Sequence, residues 1–179
     1  MRLGFRHADS RYPFFWEVAD QPSARWHRAG AGPVQYLADT SDGAWAEFLR
    51  HEEITDPQDL AGIARSIWAV ELPEDVDAAE PVAMPEATGG LDSYPACQAY
   101  AARRRTAGVR MLRAPSAALV RGGAHGQVTD GGLHDAPTRD GIVWVLFGRY
   151  ALLRGWRVVA RGRPDARLLP LVRPLAAAD

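Results

Sequence analysis

Arg25-Trp-His-Arg-Ala-Gly-Ala-Gly-Pro-Val34-Gln-Tyr36-Leu-Ala-Asp39-Thr-Ser-Asp-Gly-Ala44-Trp-Ala-Glu47 holds a cation, a glycine-softened turn, a strand and a helix start in quick succession. Val34 to Ala38 is a short apolar strand, bounded by Gly32-Pro33 before it and by the polar cluster Asp39-Thr-Ser-Asp-Gly after it. Such clusters stop strands because their residues favour turn geometry. The same cluster offers N-cap side chains for a helix over 42–52. On that helix Trp45, Phe48 and Leu49 make an apolar stripe at i, i+3, i+4 spacing, and Ala44, Glu47 and His51 fall on a neighbouring face.

Outward from this block, residues 2–7 read as a strand and Arg11 to Trp16 as an aromatic-rich turn. A short helix over Asp56 to Ala64 leads into a strand over Ser66 to Leu72. Pro73 to Gly90 is acidic and rich in Pro, Ala and Gly, which predicts a long surface loop with one helical turn at most. Ser93 to Thr106 predicts a helix, with Tyr94, Cys97, Tyr100 and Ala101 on one side and Arg103-Arg-Arg at its dipole-complementing end. That arginine run reads as a solvated helix end. Met111-Leu and Ala117 to Val120 bracket Pro115-Ser116 as interrupted strand, residues 122–140 read as loop, and Ile142 to Phe147 and Trp156 to Ala160 as closing strands. The six tryptophans read as core, except Trp26, which is expected to line a cleft beside Arg25. Short strands along the whole length with a few helices between them argue an α+β fold in a single domain over 1–179.

The composition narrows function by exclusion. A net charge of -1 gives no reason to expect direct nucleic-acid binding or an anionic membrane as partner. Cys97 is the only cysteine, so an internal disulfide is impossible and a cysteine-based zinc site is not expected. His125 and His134 flank a Gly/Asp-rich stretch without compact ligand spacing, so no metal is expected there. No apolar run reaches the length of a membrane span, and Met1 to His7 lacks the apolar segment of a signal peptide, so a cytoplasmic location is expected. All 21 basic residues are arginine, which leaves arginine or histidine for any phosphate-binding cation.

The candidate chemistry lies in four residues. Arg25, next to glycines that permit close backbone approach, carries a fork that meets phosphate oxygens bidentately. Tyr36 offers a ring for stacking on a ligand. Glu47, fixed on a helix, places a carboxylate where positive charge develops. Ser116 follows a proline that extends the chain before it, presenting a hydroxyl at a strand start. Singly, each is an ordinary surface or packing residue; the combination is informative.

In that combination the chain resembles the RES family, named for an arginine, a glutamate and a serine. The resemblance runs from residue 2 to about 121 and is carried by Arg25-Trp-His-Arg-Ala-Gly, Val34-Gln-Tyr-Leu-Ala, Ala44-Trp-Ala-Glu47 and Ala114-Pro-Ser-Ala. Ala24 and His27 stand where the family usually has glycine and asparagine, and Arg121-Gly-Gly-Ala-His-Gly-Gln replaces its Asn-rich segment. The resemblance implies an ADP-ribosyltransferase-like mixed β core, with short strands and a few flanking helices around a cleft. It implies a toxin that cleaves the nicotinamide–ribose bond of NAD, with NAD as substrate rather than cofactor and water or phosphate as acceptor. Arg25, Glu47 and Ser116 are then the catalytic candidates. Arg6, Arg25, Trp26 and Tyr36 are the NAD-binding ones. An Xre-type helix-turn-helix antitoxin is the implied partner, and homo-oligomerisation is left open. Protein ADP-ribosylation and a catalytically degenerate, binding-only RES fold are the alternatives.

Overall fold

The structure, a computed structural model, describes residues 1–15, 20–150 and 152–175. Trp16, at the end of the aromatic turn, lies outside these residues. The strands are β1 (Leu3–Asp9), β2 (Val34–Ala38), β3 (Arg65–Glu71), β4 (Glu80–Pro81), β5 (Met111–Pro115), β6 (Gln127–Thr129), β7 (Leu133–Asp135), β8 (Ile142–Phe147) and β9 (Gly155–Gly162). Two α-helices, α1 (Ser41–His51) and α2 (Tyr94–Thr106), lie among them. The architecture is α+β.

Seven strands form one mixed sheet in the order β4-β5-β8-β2-β1-β3-β9, and β6 and β7 form a separate hairpin. The β4–β5 pair is parallel and the other pairs are antiparallel. All seven residues of β1 pair with β3, and all five of β2 pair with β8. Between β1 and β2, by contrast, Phe5 and Ala38 are the one registered pair. The sheet is therefore two well-paired halves meeting at a narrow seam.

Side-chain alternation along the strands fills both faces. On β8, Val143, Val145 and Phe147 pack with Cys97 and Ala101 of α2, while Trp144 and Leu146 pack with Leu37, Val70 and Met111 on the other side. Helix α1 buries Trp45, Phe48 and Leu49 against Ile67, Leu119 and Leu168, as its apolar stripe requires. Its start is set by Thr40, whose Oγ1 accepts from the Gly43 N–H at 2.9 Å.

Several expectations need correction. Residues 73–90 are not one loop: 3-10 turns occupy Glu74–Ala78 and Pro85–Thr88, and β4 pairs with β5. Ala117 to Val120 is not strand but a turn region carrying one isolated bridge, Leu119 to Val172. The stretch 122–140 contains the β6–β7 hairpin. Trp156 is not core; it is 46% exposed on the edge strand β9. The end of α2 is not merely solvated either. Arg104 pairs with Glu80, and Arg105 donates to the Ala31 carbonyl while lying over the Phe147 ring.

Candidate active site

A cavity of about 170 Å³ lies between α1 and the first turn of α2, above the seam. Phe5, Arg6 and His7 of β1 line it from one half of the sheet, and Tyr36, Leu37 and Ala38 of β2 from the other. Consecutive residues of a strand face opposite ways, and residues of both orientations border the cavity where β1 and β2 share the single pair Phe5–Ala38. Helix α1 contributes Ala44, Glu47, Arg50 and His51, whose spacing puts them on one side of the helix. Arg25, Trp26 and Tyr94 close the remaining wall.

Three of the four residues singled out in the sequence come together here. Glu47 is the single carboxylate among the described lining residues. Burial raises its carboxyl above the ordinary value, against the pull of His51, Arg50 and Arg25 and of the Ala118 backbone N–H. The His51 Nε2 lies 3.7 Å from the Glu47 carboxylate, one helical turn on. Tyr36 is fixed by its hydroxyl, which accepts from the Trp26 backbone N–H at 3.1 Å and lies 2.8 Å from His27 Nδ1. Burial pushes this phenol upward, so it stays protonated. His27 thus holds the Tyr36 ring in place, which gives its departure from the usual asparagine a structural role.

Arg25 is 6% exposed, and its fork is largely engaged within the protein. It donates to the Glu86 carbonyl (3.0 Å), to Ser93 Oγ (2.8 Å) and to the Gly89 carbonyl (2.6 Å), with Tyr94 under its guanidinium at 4.7 Å. It fastens the 86–93 segment to the cavity wall. Trp26, 2% exposed, lines the cavity while packing edge-on to Tyr100. Arg6 donates to Gln35 Oε1 across the seam at 2.5 Å, and burial lowers its guanidinium to about 10.

Ser116 is placed differently. Its Oγ accepts from the backbone N–H groups of Ala118 and Leu119, both at 3.2 Å, and its neighbours Pro115 and Ala117 line the cavity rather than Ser116 itself. The hydroxyl shapes the turn that carries the wall.

The sequence reading did not single out Arg50, His7, His51 or Tyr94 as site residues. Arg50 and His51 were within reach, since they follow Glu47 by three and four positions on one helix. His7 accepts from Arg65 Nε at 3.2 Å. Burial, and then Arg65, Arg6 and His51, lower its imidazole to about 3. It is a neutral ring in a cation-rich wall. Among the described residues no cluster of His, Cys, Asp and Glu is placed to hold a metal ion, and no helix is long and apolar enough to cross a membrane.

A model of the RES domain matches residues 2–137, three quarters of the chain. The chain belongs to the RES domain family. The match runs past the end of the resemblance read from the motifs and takes in the β6–β7 hairpin. Membership is compatible with an enzyme role for this RES protein, and every cavity-lining residue except Val143 falls within the matched span. No curated protein matches the chain.

Proposed function

We propose that this RES protein cleaves the nicotinamide–ribose bond of NAD. The observation that carries the reading is the convergence of Glu47, the single carboxylate among the described wall residues, with the anchored Tyr36 ring and three guanidinium groups, Arg6, Arg25 and Arg50. Positive charge grows on the ribose as nicotinamide leaves, and a fixed carboxylate in a water-poor site stabilises that charge most when it is greatest. Tyr36 provides the stacking face for nicotinamide or ribose. The arginines favour the negatively charged remainder of the dinucleotide. At about 170 Å³ the cavity is below the roughly 300–1,000 Å³ of pockets for drug-sized ligands. It suits one end of NAD, with the rest lying across the mouth.

The acceptor of the ADP-ribosyl group in this reading is water or phosphate, and a cognate Xre-type antitoxin that covers the cleft is the partner the family suggests. The test is NAD loss and nicotinamide release by purified wild type and Glu47→Ala, with and without phosphate. Turnover that disappears with Glu47 supports the reading, and dependence on phosphate names the acceptor. Turnover unchanged in Glu47→Ala would remove the carboxylate from the mechanism. Label from NAD accumulating on protein instead of in a free product would replace cleavage by protein ADP-ribosylation.

A further inference from the structure

Arg50 is a charged side chain buried to 4% exposure with very little to hold it. Among the described residues it makes one hydrogen bond, Nη2 to the Gly89 carbonyl at 2.8 Å. Its Nε is fully buried and has no hydrogen-bond partner. The same Gly89 carbonyl already receives Arg25 Nη2 at 2.6 Å. Two guanidinium groups therefore share one neutral acceptor. Arg25 and Arg173 press on Arg50 with like charge, opposed by Glu47 and Tyr94, and burial with the Arg25 charge lowers its guanidinium.

A buried guanidinium is unfavourable unless its donors are met and its charge is matched. Arg25 meets that condition through three protein acceptors. Arg50 does not, and it lines the cavity. A tetrahedral oxyanion would supply what is missing: acceptor oxygens for the unmet donors and negative charge between two cations. An uncharged ligand would supply acceptors without the charge, and a cationic one would add to the repulsion.

We propose that Arg50 is the anion-holding residue of this cavity, taking a phosphate or diphosphate oxyanion, while Arg25 acts as a positioning residue that fastens the 86–93 segment beside it. The identity of the anion as part of NAD rests on the proposed function; the oxyanion site itself does not.

The test uses the full chain, 15N-labelled at arginine, with inorganic pyrophosphate as the probe and no NAD present. The Arg50 Nε–H resonance, assigned by its loss in Arg50→Lys, is expected to shift with pyrophosphate in a saturable manner. Calorimetry is expected to show affinity weakened roughly 10–100-fold in Arg50→Ala, the range for hydrogen bonds between charged groups. Arg50→Lys restores only part of it, because charge returns without the fork. An Arg50 resonance that pyrophosphate does not move, or wild-type affinity in Arg50→Ala, overturns the proposal. The wild-type titration decides the matter alone if Arg50→Ala does not fold. Pyrophosphate binding that depends on Arg50, without NAD turnover in the wild type, keeps the anion site and removes the NAD reading. NAD turnover with unchanged KM in Arg50→Ala does the reverse.

Discussion

His7 offers a prediction whose size follows from its surroundings. Its folded-state imidazole is lowered from 6.5 to about 3 by burial and by Arg65, Arg6 and His51. A group whose pKa is depressed by folding contributes stability above its unfolded value, and that stability is lost as pH falls toward the folded value. The window here is from 6.5 down to about 3. At pH 5 the unfolded imidazole is protonated and the folded one is not, a pH interval of about 1.5 below the unfolded value. At about 1.4 kcal/mol per unit, the loss between pH 8 and pH 5 is about 2 kcal/mol. The perturbation is His7→Asn, whose amide oxygen takes the place of Nδ1 as acceptor for Arg65 Nε. The assay is urea unfolding of both proteins at a series of pH values. Glu47, raised by burial, acts with the opposite sign, since the cost of its ionisation disappears as pH falls. It is present in both proteins and cancels in the difference. Wild type is expected to lose about 2 kcal/mol more than the variant between pH 8 and pH 5. Equal losses in the two proteins would refute the neutral, cation-flanked His7.

Three further outcomes are expected. If Glu47 acts ionised, the acid limb of the kcat–pH profile for NAD cleavage lies above the ordinary glutamate value of about 4.3, because burial raises this carboxyl; a limb at or below that value counts against it. Ser116→Ala removes the acceptor of two buried N–H groups and is expected to cost about 1–3 kcal/mol in denaturant unfolding; a large fall in kcat at unchanged stability would instead make the hydroxyl a catalytic group. Gly43→Ala places a Cβ 2.9 Å from the Ala38 Cβ and 3.1 Å from the capping Thr40 Oγ1, so it is expected to destabilise by about 1–3 kcal/mol despite alanine's better helix propensity. Thermal melts check the sign, and a raised Tm would show that the neighbours yield.

The elements that were legible in the sequence are those whose signal is local. The polar cluster 39–43 before a 3.6-period stripe located α1 to within one residue at each end, and the short apolar runs located β2, β3 and β8. The β6–β7 hairpin escaped because three-residue strands leave no countable period, although Asp130-Gly131-Gly132 is a turn signal in its own right. Hydrophobicity does not tell an edge strand from a central one, so Trp156 reads as core in the sequence while it stands exposed on β9. At the site, Arg25, Tyr36 and Glu47 were found through side-chain type and order. The engagement of Arg25 was invisible, because two of its three acceptors are backbone carbonyls 61 and 64 positions away, which any residue supplies. Arg50 stood within reach as a helix neighbour of Glu47, but what marks it, a buried Nε without a partner, is a property of the packed chain alone.

The seam between β1 and β2 bears on how the protein responds to whatever fills the cavity. Each half of the sheet has its own backbone ladder, side chains such as Leu37 and Val70 pack across the junction, and between the two strands the Phe5–Ala38 pair and the Arg6–Gln35 side-chain bond bridge the gap. A molecule lodged above it touches both halves and works as a cross-brace that the backbone does not provide. Occupancy then stiffens the junction as well as adding RT ln(1 + [L]/Kd) to global stability. Amide exchange would register the two effects separately. Residues flanking the seam would slow by more than the global term, while the interior of β8, already bound on both edges, would slow by the global term alone.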